Sequence, residues 1–198
     1  MNDKAHTRCP EGIPPIAVIG MGNVLLGDDG FGPCVVGALE AQWTFPPQVE
    51  LVDAGTPGLD LAALLCGRDA VIFIDAVAAR AEPGELRIYR EGELERALEL
   101  RPRVSPHDPA LAEALAIARL SGSGPQTVLL VGVVPECTDV GVGLSERVSG
   151  MVGGAAQAIV DVLAGWGAAC HRRQETTWPE LWWKADARAS GAASDGGK

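Results

Sequence analysis

The chain is poor in the residues that familiar catalytic machinery needs. It has three histidines and five cysteines in 198 residues. No two cysteines form a Cys-x-x-Cys pair, which removes the usual structural zinc site and dithiol redox centre. His-Glu-x-x-His is absent, so a self-contained zinc protease is excluded, and no Gly-x-Ser-x-Gly elbow offers a serine nucleophile. A Walker lysine is missing too. Positive charge is scarce: 16 Lys and Arg against 26 Asp and Glu leave a formal net charge of −10, the wrong sign for a nucleic-acid backbone. No apolar run approaches the ~20 residues of a membrane span. The opening MNDKAHTRCPEG lacks the apolar core of a secretory leader. The expected setting is therefore a reducing cytoplasm, with Cys9, Cys34, Cys66, Cys137 and Cys170 serving as packing residues.

What the chain does have is 47% hydrophobic residues, enough for one α/β domain with a sizeable core. Residues 1–14, broken by Pro10, Gly12 and Pro14, read as a flexible arm, and 15–170 as the single domain. The segment 171–198 ends in ARASGAASDGGK, too polar and small to bury a core, and is expected to be disordered. Within it WPELWWK gathers three of the five tryptophans, either as padding on the domain's outside or as a docking patch.

Between the termini, apolar runs alternate with helical periodicities. IAVIG (16–20), VELVD (49–53), AVIFIDAV (70–77) and QTVLLVGVV (126–134) read as strands. ELRIYR (85–90) alternates more, as an edge strand does. Helical spacing runs from Asp29, a candidate N-cap, to about Ala41 through Phe31, Val35, Val36 and Leu39. A second helix is expected after Thr56 as N-cap and Pro57 at its first position, stopping at Gly67. A third opens at Asp108-Pro109 and carries Leu111, Leu115, Ile117 and Ala118. The last runs from Ser145 to Leu163 on a stripe of Val148, Val152, Ala155, Ile159 and Val162. This alternation predicts a three-layer α/β/α fold with a twisted, mostly parallel five-stranded sheet.

In such a sheet, ligands sit at the carboxyl ends of the strands. There the sequence places Asn23, Asp28 and Asp29 after the first strand, Asp53 and Thr56 after the second, and Asp75 at the end of the third. Singly, an aspartate after a strand pins a turn or caps a helix, and Asp28 and Asp53 suit that role. Asp75 follows an apolar run with nothing local to neutralise it. Several like charges on one rim repel unless a cation joins them. His107, in SPHDPAL, is the one histidine inside the expected domain. Two carboxylates and an imidazole suit a borderline divalent ion such as nickel or zinc. The glycine turn itself is not a dinucleotide fingerprint, because Leu25 stands where the third glycine belongs.

Five segments in this order, GMGNVLLGDDGFG (20–32), DAGTPG (53–58), IFIDAV (72–77), SPHDPAL (105–111) and VGVVPE (131–136), resemble the hydrogenase maturation endopeptidases. These are nickel-dependent processing proteases of [NiFe]-hydrogenase large subunits. The resemblance spans about residues 16–165. It implies a peptidase that removes a C-terminal extension from the large-subunit precursor once nickel, carried by the precursor itself, is in place. It also implies that Asp29, Asp75 and His107 are both the catalytic and the metal-binding residues, with Asn23, Asp28, Asp53 and Thr56 in support. A histidine that binds metal must be neutral, so activity is expected to fall below about pH 6.5. The protein is expected to act as a monomer in a transient complex with the precursor. The alternative reading is a non-catalytic metal-binding chaperone that checks nickel insertion.

Overall fold

The structure is a computed structural model that describes residues 15–90, 92–94 and 108–175. Five strands form one sheet in the order β3-β1-β4-β6-β5: β1 is Ile16–Met21, β3 Val49–Gly55, β4 Ala70–Ala76, β5 Leu86–Arg90 and β6 Thr127–Val133. The first four of that order are parallel, and β5 closes one edge antiparallel to β6. A two-residue strand, β2 (Trp43–Thr44), pairs with β7 (His171–Arg172) in a separate antiparallel ribbon. Four helices are described: α1 Phe31–Gln42, α2 Leu61–Leu65, α3 Asp108–Leu120 and α4 Glu146–Gly165. The expected three-layer α/β/α architecture is the observed one.

Alternation along the strands divides the core. Ile16 and Val18 of β1, Ile72 and Ile74 of β4, and Leu129, Val131 and Val133 of β6 face α1 and α4. They meet Phe31, Val35, Val36 and Leu39 of α1 and Val148, Ala155, Ile159 and Leu163 of α4. Ala17, Ile19, Val71, Phe73, Val128 and Leu130 face the other way, onto α2 and α3. Every residue of β1 and β4 is buried, which is why these segments read as unbroken apolar runs. Each fully buried large aliphatic or phenyl side chain contributes about 1.5–3 kcal/mol.

Local expectations need several corrections. Asp29 does not cap α1; it lies inside a 3-10 turn, Gly27–Gly30, and the cap position falls to Gly30. Thr56 is exposed and does not open α2, because a 3-10 turn at Gly58–Asp60 intervenes and leaves the helix five residues long. On α3, Leu111, Leu115 and Ala118 are buried as expected, but Ile117 is half exposed. Cys66 is disulfide-bonded, not a simple packing residue. Strand β7, His171–Arg172, lies just past the expected boundary at residue 170. Finally, α4 is long and apolar enough to pass the composition test for a membrane span. Here it is a core helix: its apolar stripe covers the sheet, while Gln157 and Asp161 pair on its exposed side at 2.8 Å. Its start is as read, with the Ser145 hydroxyl accepting from the Val148 amide.

Candidate active site

The site begins where β1 ends. Gly20 is level with Asp53 of β3 on one side and Ile74 of β4 on the other, so three strands finish at one rim. The chain leaves through Gly22, whose φ of +135° suits glycine and where a Cβ would collide with the Asp29 carbonyl. That contact requires the loop to fold back on itself. The Asn23 amide donates to Asp29 Oδ2 at 2.8 Å, and Asn23 Oδ1 accepts from the Leu25 amide at 3.0 Å. The 3-10 turn carrying Asp29 then packs against β4. Two residues into α1, a Cβ on Gly32 would strike the carbonyls of Met21 and Ile74. A glycine at this wedge lets the start of α1 sit directly on the ends of β1 and β4. The turn bearing Asp29 and the strand that carries Asp75 as its penultimate residue are thereby joined at one junction.

The adjacent acids Asp28 and Asp29 are both buried, 0% and 2% exposed, yet their chemistry differs. Asp28 accepts from the amides of Glu136 at 2.8 Å and Cys137 at 3.0 Å through Oδ2, and of Ser145 at 2.6 Å through Oδ1. It staples the first loop to the segment between β6 and α4. Asp29 spends Oδ2 on Asn23, but its Oδ1 is buried without a hydrogen-bond partner among the described residues. A buried carboxylate oxygen left so is costly, and such positions concentrate where a ligand completes the coordination. Asp75 is 1% exposed, and its Oδ1 accepts from the Ala76 amide at 2.9 Å.

The remaining expected residues divide. Asp53 is exposed and holds its own turn, accepting from the Gly55 amide at 3.1 Å. Thr56 is exposed beside it. His107 lies outside the described residues. Its neighbour Asp108 opens α3, and α3 is oriented to begin at the rim. The loop after α3 is tied to the amino end of β4 through Gly67 N to Ser123 O at 3.1 Å and Gln126 N to Asp69 O at 2.8 Å. Thirteen helical residues span about 20 Å from there, and α3 packs on the 3-10 turn that follows β3. Among the described residues no three metal-ligating side chains gather around one point. Of the three expected ligands, the structure describes Asp29 and Asp75.

Sequence reasoning underrated Asp28 and missed the segment it grips. The GDDG motif exposed both acids, but partners more than a hundred positions away leave no local pattern. Away from the rim, burial pushes the Cys170 thiol above its ordinary range.

Comparison with known proteins closes the question of kind. The sequence pattern of the hydrogenase maturation protease family matches residues 33–162. The hydrogenase 2 maturation protease of Escherichia coli (strain K12) is 35% identical over 149 residues, covering 75% of this chain and 90% of that protein. HoxM of Azotobacter vinelandii, a hydrogenase expression/formation protein, is 37% identical over 152 residues, 76% of this chain and 73% of its own. Among solved structures, the hydrogenase maturating endopeptidase HybD from E. coli superposes with a TM-score of 0.75 at 34% identity, covering 80% of this chain and 97% of HybD. Between a peptidase and a chaperone, the relatives decide for the peptidase. By sequence and by fold alike, the chain belongs to the hydrogenase maturation protease family.

Proposed function

We propose that this endopeptidase removes the C-terminal extension of a [NiFe]-hydrogenase large-subunit precursor after nickel insertion, and that the nickel carried by the precursor is what it recognises. The observation that carries this reading is Asp29 Oδ1, a buried carboxylate oxygen with no hydrogen-bond partner among the described residues, on the turn packed against the strand of Asp75. Two anionic side chains at one junction favour a cation between them. Asp29 and Asp75, with His107 following the family resemblance, would hold the incoming ion. Nickel so held would supply Lewis-acid chemistry. The chain's own part is to present fixed oxygens, and to exclude water from all but the reacting position. A carboxylate so placed also serves as the base for an attacking water. A monomer in a passing complex is sufficient for this task.

Mass spectrometry of the precursor tests the reading. Incubated with the protein, a nickel-loaded precursor loses a C-terminal peptide, while the metal-free precursor stays intact. Equal cleavage of both refutes nickel recognition; internal cleavage elsewhere refutes the proposed substrate position.

A further inference from the structure

The rim carries aliphatic side chains that the core does not use. Leu25, Val140 and Val142 are 55%, 89% and 50% exposed, and they stand on two loops laced together. Leu26 and Gly141 form a parallel bridge. The Gly27 amide donates to the Gly141 carbonyl and the Gly141 amide to the Leu25 carbonyl, each at 2.9 Å. That register sets Leu25 level with Val140. The Asp28 amide adds a bond to the Cys137 carbonyl at 2.9 Å, and the Asp28 carboxylate fixes Glu136, Cys137 and Ser145 from the other side. A loop reading Asp-Val-Gly-Val-Gly would normally move freely. This one is pinned, so its valines are held outward on an ordered backbone and binding need not pay to order it.

Two features identify the occupant. The aliphatic lip is continuous with the loop that closes on Asp29, four residues beyond Leu25. The charges beside it are net acidic by one: Asp139 is exposed, and Glu136 forms an ion pair with the exposed Arg147 at 3.7 Å. We propose that this lip is a docking surface for the substrate tail, an extended segment of the hydrogenase precursor next to the scissile bond that bears aliphatic side chains and is not acidic. A second copy of the chain is a poorer fit. Its formal net charge of −10 is self-repelling, and three side chains fall far short of the roughly 800 Å² per partner of a stable interface. The proposal rests on the reading that Asp29 and Asp75 mark the cutting site.

Steady-state processing of nickel-loaded precursor by the full chain tests it. Leu25→Asp and Val140→Asp should each raise KM about tenfold, as loss of an apolar contact does, while kcat stays within about twofold and the thermal midpoint does not move. Leu120→Asp, at an equally exposed position on the far end of the sheet, should change neither parameter. An unchanged KM in both lip variants overturns the proposal, and so does an equal rise in Leu120→Asp. A photo-crosslinker placed at Val142 should capture the precursor's C-terminal segment; capture of any other region overturns it. If sedimentation shows a dimer that Val140→Asp dissociates, the occupant is a second copy and the proposal is wrong. Failure of the underlying site reading looks different: Asp29→Asn would then process at the wild-type rate, whatever the lip variants do.

Discussion

The two ends of the sheet are built to opposite rules. At the amino end the polar groups are closed on one another. Arg68, 7% exposed, pairs with Glu50 of β3 and donates through Nε to the Leu64 carbonyl at 3.3 Å. Pro15, Asp69 and Ser123 satisfy the neighbouring amides. At the carboxyl end the loops are held as firmly, by Asp28, but Asp29 Oδ1 is left without a hydrogen bond among the described residues and aliphatic side chains face outward. Both ends are laced by hydrogen bonds; among the described residues the carboxyl end leaves a carboxylate oxygen unspent. That surplus is what a reacting site requires, and it is carried at a cost in stability.

Four measurements bear on this contrast. The largest effect is expected at the acid with the unspent oxygen: Asp29→Asn should slow precursor processing by at least about 100-fold, without lowering the thermal midpoint, because it removes an uncompensated buried charge. A lowered midpoint with activity retained would reverse the assignment. Asp28→Ala should do the opposite first, removing about 3 kcal/mol of stability in urea unfolding as three amides lose their acceptor. A change under about 1 kcal/mol would mean the staple is dispensable. At the closed end, Arg68→Ala should cost about 1–2 kcal/mol, since Glu50 can still turn to solvent, and should leave processing unaltered. The smallest effect concerns thiols. Exposed Cys137 should alkylate faster than Cys170 at neutral pH, because burial raises the Cys170 pKa and so reduces its thiolate fraction. The difference should narrow as pH rises.

Much of this contrast was legible from residues alone. The central strands announced themselves because burial on both faces leaves only apolar side chains, and the strand-end acids stood out against those runs. Asp75 was identified because nothing near it in sequence could neutralise it. The Ser145 cap was equally local. What stayed hidden depended on distance along the chain. The partners of Asp28 come from residues 136–145, and β2 pairs across more than a hundred residues with β7, too short to show a period. Asp29 looked like a cap because an acid before a helical run usually is one; the fold-back at Gly22, which draws its carboxylate to Asn23, is tertiary. Ile117 neighbours the stripe of Leu111, Leu115 and Ala118 without lying on it, and it is half exposed. His107 lies outside the described residues, so its part in the site rests on the resemblance alone.

The staple at Asp28 also dictates when the enzyme can exist. Its three amides belong to a stretch translated long after the loop they secure, so a nascent chain halted before Ser145 has the acids but no way to fix them. Competence therefore waits on a contact between distant parts of the chain, whose closure costs more entropy than a local turn.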